Sequence, residues 1–583
     1  MDRSFSEEIT IDENEIHKNA DLIEYKQLPE ANQSVRYRLK NETAWNEAKI
    51  LGRGGKAKGS NRFWMNIKDM SDDKEFGIDW KEHVEEWQII ENNVLFLKKT
   101  DCGFDEAKLK ELNSWKEMNV YTEVEDRGQK AISVRWVFSK KLTDGKEVKK
   151  ARLVARGYEE NDEDIQKESP TCLKENLRIS ILIMSSLGWE LKSMDIKCAF
   201  LQGNKLNREI YLRPPKEVRE KGKLWKLNRC VYGLKEASRY WYLRIYDELS
   251  KCGCKRSKLD PAVFFFYTNR LEGLLVCHVD DFLHAGSERF EKEVILYLKS
   301  IFKVSREDAV AFRYVGVDVQ QCRKGVFIGQ QDYVEELKEI HIDKQRIQNK
   351  NLIANNKEKE DLRSIIGQLN WLCTQTRPDL SFSVCELSNS YKTATIATIL
   401  NANKIIRKAK AVETSLFLPK VNLNNFKLIC YTDAAHGNLP DGGSQAGLYL
   451  ELVSENKRAP IHWQSKRVRR VVKSSMAAET LSLVEGVETA ILIRKFINEI
   501  LFLNQRNICI EVITDSKSVF DAAYGTNQLL DKGQRINMAL LRETITLKEV
   551  ELKWVPSGEQ LANVLTKKDC ESRTMLSRIS NSM

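Results

Sequence analysis

Apolar and polar residues begin to alternate with a period of two at Val35, Tyr37 and Leu39, which predicts a half-buried strand. Trp45, Trp64, Trp80 and Trp87 follow within a short span and predict a small packed, β-rich unit. A helical stretch starts at Asp105. Strands are expected over 133–140 and 148–156, separated by Thr143-Asp144-Gly145, a hairpin signal. A helix is expected over 175–187, then a strand running into Asp195, a helix over 234–250 and a second hairpin over 274–285. From 301 to 420 the pattern is mixed and mostly helical. From Phe426 it changes again: strands near 426–433, 444–453 and 459–465, a helix over 475–499, a strand over 508–514, a helix from about 516, a strand over 549–555 and a last short helix. That β-β-β-α-β-α-β-α order predicts a separate α/β domain. No internal repeat is visible.

Composition narrows the class. The chain has 583 residues, 42% hydrophobic and 31% charged, enough for a soluble, well-cored protein of several domains. A net charge of +10 suits a polyanionic partner without specifying one. The 13 cysteines contain no C-x-x-C pair, and Cys252 and Cys254 flank a single glycine, which is poor zinc spacing. They read as reduced thiols of an intracellular protein. Residues 1–34 read as a flexible acidic leader without a secretory signal. The richest apolar stretches, Ile179 to Met184 and Val263 to Tyr267, are too short to span a bilayer. The turn Gly52-Arg53-Gly54-Gly55-Lys56 fits neither a phosphate-binding loop nor a dinucleotide fingerprint; a hairpin turn and a direct phosphate contact both remain open.

Two constellations of acids carry candidate chemistry. In Ser193-Met194-Asp195-Ile196 and in Leu274-Leu275-Val276-Cys277-His278-Val279-Asp280-Asp281-Phe282-Leu283, aspartates stand where apolar strands end. Burying paired carboxylates is costly unless cations neutralise them. Two-cation phosphoryl transfer is one reason to do so, and hard oxygen ligands favour Mg2+. Farther on, Asp433 ends an apolar strand, Glu479 lies near the start of a helix with Leu483, Val484, Val487 and Ile491 on one face, and Asp515 closes another strand. These acids can converge on one side of a sheet. Taken singly, each acid could equally be a solvated turn or strand-end charge.

The context makes the first set specific. The hairpin resembles the Tyr-x-Asp-Asp box of reverse transcriptases. Lys150-Ala151-Arg152-Leu153-Val154-Ala155-Arg156-Gly157, Asp195 through Gly203, Leu224-Trp225-Lys226-Leu227, Val231-Tyr232-Gly233-Leu234-Lys235, and Gly367-Gln368-Leu369 followed by Arg377-Pro378-Asp379 resemble copia-type retrotransposon Pol polyproteins. The resemblance implies that Asp195, Asp280 and Asp281 are catalytic metal ligands. It implies that Lys150 and Arg152 meet triphosphate oxygens from the fingers, that Phe200 screens the sugar 2′ position, and that Gly233 lets backbone approach the nascent pair. Exposed strand positions for Lys150 and Arg152, and an ordinary turn glycine at 233, are the plainer alternatives. His278 stands where the family usually has Tyr.

The second set, within Tyr431-Thr432-Asp433-Ala434, Ser474-Ser475-Met476-Ala477-Ala478-Glu479, Thr514-Asp515-Ser516 and Glu559-Gln560-Leu561-Ala562-Asn563-Val564-Leu565-Thr566-Lys567, resembles the ribonuclease H of the same elements. It implies that Asp433, Glu479 and Asp515 are catalytic metal ligands. Asn563 stands where the family has a fourth Asp, and so weakens one corner of that site.

The expectation is therefore an α/β and α+β multidomain chain: a flexible acidic leader over 1–34, a small β-rich module over 35–92, reverse transcriptase fingers and palm over 103–300, a thumb or connection region over 301–424, a ribonuclease H-like mixed-sheet domain over 425–570 and a tail over 571–583. The implied activity is RNA-directed DNA synthesis by two-metal nucleotidyl transfer, with cleavage of the RNA strand of the hybrid. Mg2+ is the implied cofactor. RNA template, DNA primer, RNA–DNA hybrid and deoxynucleoside triphosphates are the implied partners, together with the capsid, protease and integrase parts of the same polyprotein; no membrane is expected. The implied location is intracellular, in a cytoplasmic particle or the nucleus. The alternative, motivated by His278 and Asn563, is a catalytically decayed relic that only binds nucleic acid.

Overall fold

The computed structural model describes residues 11–12, 34–40, 46–53, 64–69, 75–79, 84–90, 103–143, 146–160, 165–501, 508–526, 532–568 and 572–580. The chain divides into two compact units, Met1–Glu168 with Phe200–Trp241, and Ser169–Ala199 with Tyr242–Met583.

In the first unit, strands Ser34–Leu39, Asn46–Arg53, Trp64–Asp69, Glu75–Asp79 and Val84–Ile90 make a five-stranded antiparallel sheet. Its described core is Tyr37, Ala48, Ile50, Ile67, Ile78 and Val84. The side chains of the four tryptophans, and most of the glycine-rich turn, lie outside the described residues. The hairpin expected around Asp144 pairs Val134–Thr143 with Lys146–Ala155, and its turn too lies outside them. Of the expected leader, Ile11 and Asp12 are described, and they form a short strand against Val137 and Phe138 rather than loose chain.

The second unit holds the acids. Six antiparallel strands run in the order Cys254–Arg256, Val263–Tyr267, Leu271–His278, Asp281–Gly286, Lys192–Ile196, Val304–Ala309. Leu271 to Cys277 are buried without alternation, because both faces of this strand are covered. Helix Lys174–Ser186 supplies Ile179, Leu182 and Ile183 to that core. The expected boundary at 300/301 cuts this sheet, since strand Val304–Ala309 hydrogen-bonds to the Asp195 strand.

The stretch after 301 is also less helical than its pattern suggested. Ala311–Tyr314, Val317–Cys322 and Gly325–Gly329 join Leu416–Pro419 in a four-stranded sheet. Only then come helices Asn356–Gln375, Ser381–Asn389 and Ile396–Ala411. Asn355 and Glu358 close a reciprocal capping box at the first of these. The Arg377-Pro378-Asp379 motif is a buried staple: Arg377 grips both Asp379 oxygens at 2.9 and 3.0 Å and donates to the carbonyls of Ala409 and Val412.

The last sheet has the order Lys457–Val468, Ser444–Ser454, Lys427–Ala435, Ile510–Thr514, Glu551–Trp554, antiparallel in the first three strands and parallel thereafter. Helix Ser475–Leu501 packs on it. Two helices, Lys517–Tyr524 and Lys532–Thr546, replace the single one expected from 516, and two 3-10 segments, Ser557–Glu559 and Leu561–Leu565, stand in for the last short helix. Part of the expected tail is also ordered structure. Helix Ser572–Ser580 buries Met575 and Ile579, spaced four apart, in the same core, and Arg578 lies 3.8 Å from buried Glu451. Among the described residues, no helix is long and apolar enough to cross a membrane.

Candidate active sites

The first candidate site lies at one end of the six-stranded sheet. The Asp195 strand and the strand that begins at Asp281 are hydrogen-bonded neighbours, with Asp195 and Asp281 directly opposed. Residues opposed in this way carry Cβ atoms about 4.5–5.5 Å apart. Asp280 sits in the turn before, tied down by its carbonyl, which accepts from Ile196 N at 3.0 Å. All three acids are half-buried. The turn is strained: Val279 has φ of +57°, a left-handed conformation a β-branched residue rarely adopts. Such strain persists only where the surrounding structure over-determines it. Periodicity gave no sign of it. His278 is opposed to Asp281 across the hairpin, and burial holds its pKa below the ordinary histidine value, against the pull of Asp280.

The other residues singled out for this chemistry belong to the first unit. Lys150 is exposed on strand Lys146–Ala155, while Ala151 beside it is buried. Arg152 lies 5.8 Å from the centre of the Tyr232 ring, and that ring meets Phe200 edge-on at 5.2 Å. Phe200, Tyr232 and Arg152 thus form one contiguous stack. Gly233 has φ of +90°, and a Cβ there would stand 2.0 Å from the carbonyl oxygen of Ala155. Close passage of that strand is enough to require glycine at this position.

The second candidate site is tighter. One ligand atom from each of Asp433, Glu479 and Asp515 lies within 4.8 Å of the others. Among the described residues, the acids of the first site do not meet that spacing. Asp433 and Asp515 come from adjacent parallel strands, at and just beyond their ends, and Glu479 from the first turns of the covering helix. Opposite Asp433 is Gly447. A Cβ at Gly447 would meet Thr566, Leu565 and the Ala562 carbonyl at 2.7–3.0 Å, so glycine here lets the Leu561–Leu565 segment press against the Asp433 strand.

Electrostatics mark the same place. Burial first, then the charges of Asp433 and Asp515, push the Glu479 carboxyl up to about 9. Its Oε2 is buried without a hydrogen-bond partner. Burial also raises Asp433, against the opposing pull of Lys567 and Thr566. Crowded acids with an orphaned buried oxygen fit a cation. Thr566 Oγ1 donates to Asp433 Oδ2, and Lys567 Nζ stands 3.4 Å from Asp433. Asn563 meets this cluster through Lys567: Lys567 Nζ donates to Asn563 Oδ1, and Asn563 Nδ2 donates to the Ser557 carbonyl at 2.6 Å. Thr566 and Lys567 stood in the motif without an assigned role, because sequence spacing does not reveal which side chains return to Asp433. A second cluster, Cys509, Glu511 and Glu551, is already neutralised, with Lys427 and Lys553 each 2.7 Å from Glu511 Oε1.

Comparison with known proteins covers the stretch that holds the first site. Residues 118–354 match the family model "Reverse transcriptase (RNA-dependent DNA polymerase)". The chain is 27% identical over 372 residues to the Retrovirus-related Pol polyprotein from transposon RE2 of Arabidopsis thaliana, covering 60% of this chain and 25% of that protein. It is 26% identical over 498 residues to the corresponding polyprotein from transposon TNT 1-94 of Nicotiana tabacum, covering 79% of this chain and 36% of that protein. The chain thus spans only about a quarter to a third of these relatives. Among solved structures, a foamy viral protease-reverse transcriptase in complex with double-stranded DNA is similar at 12% identity and a TM-score of 0.45, over 91% of this chain and 93% of that one; likeness at this level carries no argument. Residues 118–354 are a reverse transcriptase domain, in a chain related to the copia-type retrotransposon Pol polyproteins.

Proposed function

We propose that this chain copies an RNA template into DNA and cleaves the RNA strand of the resulting hybrid. The observation that carries the reading is the direct opposition of Asp195 and Asp281 on adjacent strands, with Asp280 in the intervening turn, inside the reverse transcriptase domain. Asp195, Asp280 and Asp281 would hold divalent cations, with Mg2+ favoured by the all-oxygen donor set, and Asp433, Glu479 and Asp515 would do so in the nuclease; bound there, the cations supply activation of the attacking hydroxyl and neutralise the leaving group.

The chain's own groups do the rest. The strained turn at Val279 fixes where the Asp280 and Asp281 carboxylates project. Lys150 and Arg152 offer positive charge for triphosphate oxygens, and Phe200, held edge-on by Tyr232, offers a flat apolar wall for the sugar. In the nuclease, Thr566 orients Asp433 and Lys567 offsets part of its charge.

Primer extension on an RNA template with Mg2+ tests the reading. Extension by the native chain, abolished in a folded Asp280→Asn variant, is expected. Full extension by that variant would overturn the assignment. The departures at His278 and Asn563 favour the second reading, a relic that only binds nucleic acid. Hybrid binding without extension or cleavage would select it.

A further inference from the structure

Strand Val304–Ala309 lies beside the Asp195 strand, on the side away from the Asp280-Asp281 hairpin. Its register is regular from Lys192 opposite Ala309 to Asp195 opposite Arg306, and then breaks, with Ile196 opposed to Val304. The ladder skips Ser305. A bulge of this kind re-aims the side chain of the extra residue. Here Ser305 Oγ donates to Asp195 Oδ2 and stands 3.2 Å from the Asp195 carbonyl oxygen. The chain resumes its pairing directly afterwards, with Lys197 N donating to the Lys303 carbonyl at 2.9 Å. The irregularity is thus confined to the one residue that meets the carboxylate.

We infer that Ser305 is a positioning residue for polymerization: its hydroxyl holds the Asp195 carboxylate in the orientation that receives the divalent cation. The inference rests on the proposed role of Asp195 as a metal ligand. Ser305 is exposed, so it contributes little packing, and removing an exposed hydroxyl changes stability little. A carboxylate with one oxygen held by a fixed donor loses less freedom on binding a cation. Removing such outer partners of metal ligands typically costs about 10–100-fold in metal affinity or activity.

Threonine and valine separate hydroxyl from shape, because they are nearly isosteric. The full chain carrying Asp433→Asn, which disables the nuclease metal site, is compared with the same chain carrying in addition Ser305→Thr, Ser305→Val or Ser305→Ala. Mn2+ binding is read by electron paramagnetic resonance with a dideoxy-terminated primer, an RNA template and the incoming nucleotide, and the Mg2+ dependence of extension is measured alongside. Ser305→Thr should keep the Mn2+ affinity of its parent. Ser305→Val and Ser305→Ala should weaken it by about 10-fold or more, with extension partly recovered at high Mg2+ and melting temperature unchanged. Equal behaviour of the threonine and valine variants, whether both native-like or both impaired, would overturn the inference. The Asp280→Asn control keeps the two readings apart: if that variant extends fully, the polymerase assignment fails, whereas loss of extension there with native Mn2+ affinity in Ser305→Val sinks only the role of Ser305.

Discussion

The crowding of Asp433, Glu479 and Asp515 predicts a measurable dependence of stability on pH. Glu479 has its carboxyl pushed up to about 9 by burial and by Asp433 and Asp515. In the unfolded chain it would titrate near 4.5. Between these values the folded state retains a proton that the unfolded state has released. Stability therefore falls as pH rises through this window, and the contribution is complete only below the unfolded value. From 4.5 to 7 is 2.5 units, and at 1.36 kcal/mol per unit the cost at neutral pH is about 3 kcal/mol. Glu479→Gln keeps the volume and removes the titration. With a chelator present, the variant should be more stable than the native chain by about 3 kcal/mol at pH 7, and the difference should close by about pH 4.5.

Divalent cation should reverse the order. A cation at 1,000 times its dissociation constant stabilises the folded state by about 4.1 kcal/mol, more than that deficit, and it should do so in the native chain far more than in Glu479→Gln. Binding should also release a proton. Chemical denaturation at pH 5, 7 and 9, each with chelator and with Mg2+, reads all of these effects. If the two proteins show the same pH slope with chelator, Glu479 is not in a repulsive, desolvated environment and the reasoning fails.

Other expectations follow from single contacts. Phe200→Ala should admit ribonucleotides by removing the wall that Tyr232 supports, read as incorporation of ribo- against deoxynucleoside triphosphates; an unchanged preference in an active variant would remove Phe200 from that role. Asn563→Asp should lower the Mg2+ needed for half-maximal hybrid cleavage and leave extension unaltered. Superimposed titrations would make Asn563 a clasp for Lys567 alone. Arg178→Met should destabilise the chain by about 3 kcal/mol or more, because the buried Arg178 guanidinium donates to the carbonyls of Ile461, Thr374 and Gln375, one buried bond and two part-buried, and all three lose a charged donor. A change within about 0.5 kcal/mol on denaturation would show that the buried guanidinium contributes nothing net.

How much of this was legible in the sequence depended on the range of the interaction. The Asp195 strand, the Asp280-Asp281 hairpin and the first three strands of the last sheet were readable because short apolar runs bounded by turn residues encode them. The opposition of Asp195 and Asp281 was not encoded locally, since 86 residues of sequence separate the two strands' acids and the family resemblance supplied the link. Strands 311–329 are hard to read from sequence because each is short: Phe312 and Tyr314 alternate with Arg313, and Val317 and Val319 with Asp318, for only a few residues at a time. Helix Ser572–Ser580 was passed over as tail because Met575 and Ile579 gain their burial from distant strands. The skipped Ser305 and the strained Val279 leave no mark on composition at all; they exist only once two strands are paired.

Pairing also determines how far the two centres can act as separate machines. Residues of the six-stranded sheet and of the last sheet lie in one continuous apolar core, from Ile179 and Leu274 to Ile429 and Ile579. Arg178 sits inside it, fully buried, its pKa lowered by burial to about 9. Its guanidinium donates to the carbonyl of Ile461 in the last sheet at 2.9 Å, and to those of Thr374 and Gln375 at the end of helix Asn356–Gln375 at 2.6 and 2.9 Å. It stacks 3.9 Å from the Trp463 ring, whose Nε1 in turn donates to the Cys373 carbonyl at 2.8 Å. One side chain of the Lys174–Ser186 helix thus bonds carbonyls from two other segments, one of them in a fully buried bond. Pulling the edge strand of the last sheet from that helix would strand a charge at once, which favours a rigid joint over a hinge here. Under the proposed function each set of acids would bind its own cations, so chemistry at Asp433 and at Asp280 should still be lost independently. Stability cannot be: a lesion at Arg178 should weaken both centres together, whereas Glu479→Gln should touch one.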